Sequence, residues 1–136
     1  MVYQTTSYSN DGVVERYRGS EDTDAFDIPA QFPKSEFEML LNTHNHLFGF
    51  SIIFLVVGFI FYFNSIITGG WKYLLLTEPF ISVFITFSGL WLIRFYDSFF
   101  VYFVFAAAFV TYLSYYLLSA VILYELLIKA GRDVNE

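Results

Sequence analysis

Polar and apolar positions alternate along this chain in long blocks, and three of the blocks are apolar enough to cross a bilayer. The first helix is predicted to start at Ser35. Ser35-Glu36-Phe37-Glu38 reads as an N-cap with a Glu at the third helical position, the arrangement of a capping box. Two acids there also suit the positive end of the helix dipole. No breaker follows until residue 67, and residues 47–67 meet the roughly 20 residues a span requires. The portion before them is amphipathic and belongs at or above the interface. Residues 68–72, Thr-Gly-Gly-Trp-Lys, form a glycine-punctuated turn with Trp71 and Tyr73 as interface anchors. A second span follows over residues 73–93, with Pro79 predicted to kink it or to delay its true start. Residues 94–98 turn the chain again, with Asp97 or Ser98 as N-cap. A third span covers residues 99–124 and continues to 127, long enough to tilt or project.

Helical spacing sorts the polar residues within these spans. His44, Ser51, Leu55, Gly58, Tyr62 and Ser65 fall on one stripe of the first helix. Glu78, Ser82, Thr86 and Gly89 do so on the second. Ala107, Thr111, Ser114, Leu118, Val121 and Glu125 do so on the third. In lipid, small residues let helices approach and hydroxyls bond across the contact. The three stripes should therefore face one another or further copies of the chain, either as a packed interior or as a polar path.

The flanks differ in character. Residues 1–33 form a polar, acidic N-terminal arm without sustained periodicity, read as flexible or loosely docked. Within it, residues 26–33 could lie extended, because each Pro biases its predecessor away from helix. Residues 34–130 form the transmembrane domain, and residues 131–136 a polar tail. The expected class is all-α: a transmembrane helical bundle of about three spans with an amphipathic extension before the first.

Composition narrows the function. Hydrophobic residues make up 57% of the 136 and charged residues only 15%, well below the roughly 25% of soluble domains. Eight of the thirteen acids lie in the first 38 residues, so the formal net charge of -6 belongs mostly to the arm. With no basic patch, nucleic acid is excluded as a partner. Clustered cations for anionic lipid are also missing from the arm. The chain has no Cys, which removes disulfides, thiolate ligands and Cys nucleophiles together. No cleavable signal peptide is visible, so the first span should drive insertion. Three spans put the termini on opposite sides. Lys34 and Arg94, with Arg16 and Arg18, nearly balance Lys72, Lys129 and Arg132, so the positive-inside rule selects neither orientation.

Two clusters could carry chemistry. At the arm side lie His44 and His46, the only histidines, with Arg94 and Asp97 returning to the same face. Imidazole ligates divalent metals and haem. A spacing of two places these rings about 160° apart on a helix, so one chain supplies at most a partial haem, metal or quinone site. The plainer reading is a pair of hydrogen-bonded interfacial histidines. At the other face Glu78 and Glu125 lie on polar stripes near Tyr62 and Ser65. Ionisable groups within a span cost about 2.5–3.5 kcal/mol at the centre and invite a functional reading, such as a proton- or ion-coupled path. The plainer alternatives pair Glu125 with Lys129, and let Glu78 reach Lys72 or cap its helix. No nucleophile constellation and no phosphate loop stand out, which favours a non-enzymatic role.

The run Leu41-Asn42-Thr43-His44-Asn45-His46-Leu47-Phe48-Gly49, followed by an apolar span, resembles the start of small uncharacterised bacterial polytopic membrane proteins. Glu78-Pro79-Phe80 and Ser88-Gly89-Leu90-Trp91 on the next span do the same. The resemblance covers roughly residues 35–128 and leaves the arm outside. It implies a multi-pass protein of the bacterial inner membrane and carries no established activity. The expected partners are the lipid bilayer and either further copies of the chain or a larger membrane complex. The expected role is a subunit or scaffold, with a haem- or metal-binding protein as the alternative.

Overall fold

The computed structural model describes residues 10–19 and 32–133, with side chains described for residues 11–19 and 32–128. Among these residues every regular element is helical. In chain order they are α1 (Asn10–Arg18), α2 (Glu36–Tyr62), α3 (Gly70–Phe95), a short 3-10 turn (Ser98–Phe100) and α4 (Val101–Asp133). The segment at residues 26–31 and the tail beyond 133 lie outside the described residues.

The start of α2 follows its sequence signal. The Ser35 backbone N–H donates to the Glu38 carboxylate at 3.0 Å, and the Glu38 N–H donates to Ser35 Oγ at 3.2 Å. Its end comes earlier than periodicity suggested, at Tyr62 instead of residue 67. The cause is Asn64. Its side-chain oxygen accepts from the N–H groups of Ile66 and Ile67 at 3.0 and 2.8 Å, offering the backbone an alternative to helix. Gly69 then adopts φ +69 as the N-cap of α3, a left-handed conformation that suits glycine. Helix α3 starts at Gly70, three residues before the expected position, so Pro79 lies well inside it. The turn after α3 is capped by Asp97, whose carboxylate accepts from the Phe99 N–H at 2.7 Å.

Helices α2, α3 and the 3-10/α4 unit over Ser98–Ile128 are each long and apolar enough to cross a membrane. At about 1.5 Å per residue, the 27 residues of α2 measure about 40 Å, against roughly 30 Å of hydrocarbon. The amphipathic first turns therefore continue the span directly and project from it.

Helices α3 and α4 pack most closely, and α2 lies more loosely against both. The core follows the predicted stripes on α3 and α4. Ser82, Gly89, Ala107, Thr111, Ser114, Leu118 and Glu125 are all buried. On α2 the predicted Gly58 is buried, but its neighbours on the buried line are one residue earlier than expected. Phe54, Gly58 and Phe61 face inward, while Leu55 and Tyr62 are exposed. Phe61 is 0% exposed against 53% for Tyr62, so the wholly apolar ring takes the interior and the phenol takes the surface.

The arm contributes structure as well. Helix α1 lies against α3 and α4, and Val13, Val14 and Tyr17 pack onto the core cluster that contains Met39, Phe87 and Ile93. The Tyr17 carbonyl accepts from the Lys34 N–H at 3.3 Å. The Lys34 ammonium stands 5.6 Å from the centre of the Tyr17 ring. Burial pushes the Tyr17 phenol above its ordinary value of 10.0, against the opposing pull of Arg16 and a hydrogen bond with Asn42.

Candidate functional site

The polar seam holds two carboxyls with different partners. Glu125, near the end of α4, is 8% exposed and clasps the turn between α2 and α3. It accepts from the Asn64 side-chain amide, from the Ser65 N–H at 3.2 Å and from Ser65 Oγ at 2.6 Å. The clasp extends outward, since Lys72 Nζ donates to the Asn64 carbonyl at 2.7 Å. Lys72 also stands 5.5 Å over the Tyr62 ring. Tyr62 thus belongs to the exposed rim of this turn. The Lys129 side chain lies outside the described residues.

Glu78 sits on the contact between α3 and α4. Ser82 Oγ, one turn on, donates to one carboxyl oxygen, and Ser114 Oγ of α4 donates to the other. Lys72, the cation expected to meet it, is engaged at Asn64 instead. Among the described residues Glu78 has two hydroxyl partners and no cation. Ser114 lies 16 residues from Ser98 and 14 from Ile128, the limits of that span. It is therefore close to mid-span, more than about 20 Å of helix from either end.

The arm-side residues are brought to one end of the bundle but not to one point. Thr43 Oγ1 accepts from the Trp91 indole at 3.0 Å, tying α2 to α3. Exposed His44 stacks on Phe48, ring centres 6.4 Å apart. His46, also exposed, has Nδ1 2.9 Å from the Asn42 carbonyl and its ring 6.0 Å from Phe87. Arg94 donates through Nε to the Lys34 carbonyl at 2.9 Å and covers the Phe95 ring. Among the described residues no group of three or more His, Cys, Asp or Glu could hold a metal ion. A groove of about 720 Å³ opens beside these residues between α2 and α3, with Thr43, Leu47, Phe84, Phe87 and Trp91 among its walls.

Sequence reasoning missed Asn64, which organises both the turn and Glu125. The available signal was Asn-Ser directly after an apolar run, a pair that favours turns over helix. It also missed Tyr17, whose signal was the apolar pair Val13-Val14 followed by an aromatic at helical spacing.

Three antiparallel spans of this length, with aromatic and aliphatic side chains outward, define an integral multi-pass membrane protein. The sequence model of one family, Aq_1264_TM, described as a transmembrane helical domain, matches residues 7–133, and the chain belongs to that family. The match begins within the arm, so it includes α1, which the resemblance over residues 35–128 left out. No curated protein matches the chain, and no solved structure does.

Proposed function

We propose that the chain is a non-enzymatic subunit or scaffold of a larger assembly in a bacterial inner membrane. The loose packing of α2 carries this reading. Only 11% of its most apolar window is buried within the chain, against 33% for α3. Beside it runs the 720 Å³ groove, walled by large apolar side chains. In lipid, helices associate through close packing, and side chains of a neighbouring helix would fill such a groove. The deep polar groups support the same view, because Glu78, Glu125, Ser82 and Ser114 are engaged in joining the chain's own helices. A photo-crosslinking residue in place of Phe84, on the groove wall, tests the proposal in intact membranes. Adducts with protein, another copy or a different chain, are expected. Adducts with lipid alone would contradict it.

A second reading keeps a haem, metal or quinone site at His44 and His46. It is supported by the exposure of both imidazoles on α2, which leaves them within reach of ligands from another chain. Absorption and elemental analysis of the purified protein, with and without His44→Ala, separate the two readings.

A further inference from the structure

We propose that Glu78 is a proton-binding site within the membrane, a carboxyl that takes up and releases a proton at the contact between α3 and α4. This goes beyond the scaffold reading and does not depend on it.

The chemistry of its partners carries the inference. Glu125 is bonded by the Asn64 amide, the Ser65 backbone N–H and the Ser65 hydroxyl. The first two can only donate, so they require acceptor oxygens whatever the hydroxyl does. Glu78 is bonded by Ser82 and Ser114 hydroxyls alone. A hydroxyl donates or accepts by rotating about its C–O bond. With Glu78 ionised, both hydroxyls donate to it. With Glu78 protonated, its O–H donates to one serine oxygen, and the other serine still donates to the remaining carboxyl oxygen. The site can gain or lose one proton without leaving a carboxyl oxygen unbonded. The reaction is a simple protonation, with the proton drawn from and returned to water.

Position adds to this. An ionised group deep in a span is costly unless paired, and no cation among the described residues pairs with Glu78. The surrounding elements bring few other charges. On α3, Lys72 is held at Asn64. On α4, the Tyr115 ring stands edge-on to Phe54, and Glu125 is at the Asn64 turn. On α2, Phe54 and Gly58 carry no ionisable group, and Tyr62 is on the rim with Lys72. Glu78 lies eight positions beyond Gly70, about 12 Å along α3 from its start.

The test uses the full chain in liposomes and a membrane-permeant carbodiimide, which reacts with protonated carboxyls. One adduct per chain at Glu78 is expected, absent in Glu78→Gln. Labelling should fall roughly tenfold per pH unit once the ionised form dominates. Infrared difference spectra taken across the same pH range should show a protonated carbonyl band that Glu78→Gln removes. The Gln amide can both donate to and accept from the two serines, so this variant is expected to fold. Labelling that ignores pH overturns the proposal. So does the lack of any carbonyl band that Glu78→Gln removes. Protection of Glu78 by sodium but not choline at fixed pH would assign the site to a metal cation and overturn the proton as its ligand.

Discussion

Gly89 of α3 and Val104 of α4 meet so closely that a Cβ added at Gly89 would stand 2.5 Å from Val104 Cγ2. Non-bonded carbon atoms do not approach so closely, so one helix or the valine must shift. Val is branched at Cβ and has little rotamer freedom in a helix. Gly89→Ala should therefore destabilise the α3–α4 pair by about 1–3 kcal/mol, the usual cost of overpacking. Thermal unfolding in detergent reads this loss. Val104→Ala placed in the Gly89→Ala background should recover part of it, giving a coupling between the two sites in a double-mutant cycle.

The Glu125 clasp gives a second expectation. Glu125→Leu leaves the buried Asn64 amide without its acceptor, at about 1–3 kcal/mol, and also removes the acceptor of the more exposed Ser65 N–H and hydroxyl. Glu125→Gln retains a carbonyl acceptor and should cost less. Asn64→Ala should resemble Glu125→Leu, because it also frees Ile66 and Ile67. Protease accessibility of the turn after Tyr62 should rise in the order wild type, Glu125→Gln, Glu125→Leu.

These two contacts differ in how far the sequence announced them. The α3 and α4 stripes were legible because Ser82, Gly89, Thr111 and Ser114 are small or hydroxylated residues at helical spacing among large apolar ones. Small residues mark a helix contact wherever lipid is the solvent. The first stripe was right at Gly58 but misplaced by one residue at Leu55 and Tyr62, since Phe61 competes with Tyr62 for the interior and nothing in spacing ranks a large apolar residue against a polar one. Asn64 remained hidden because its role depends on Glu125, 61 residues away. The capping box at Ser35 was legible because every partner lies within three residues. The polar, acidic arm shows no sustained periodicity, which suggests a flexible or loosely docked segment, and the contacts that hold α1 are supplied by the bundle.

Tyr17 should report the docking of α1 through its titration. Burial raises the phenol above 10.0, so the docked arm favours the protonated form. The resulting stabilisation is complete below pH 10.0 and is lost as pH rises through the higher folded value. The tyrosinate absorbance of wild type minus that of Tyr17→Phe should titrate with a midpoint above 10.0. A midpoint at or below 10.0 would mean that Tyr17 is in water and α1 is undocked.

The scaffold proposal predicts that purified protein has no visible absorption band and less than stoichiometric transition metal, with neither altered by His44→Ala or His46→Ala. A Soret band lost on either substitution would favour the cofactor reading.

Sidedness tests the central claim that three helices cross the membrane. The chain has no Cys, so single cysteines can be placed at Thr68, in the turn before α3, and at Tyr96, in the turn after it. Both positions are exposed. In right-side-out and inverted vesicles, an impermeant maleimide should label the two cysteines from opposite sides, with a cysteine near the C-terminus sharing the side of residue 68. Labelling of residues 68 and 96 from the same side would contradict a membrane-crossing α3 and the three-span account with it.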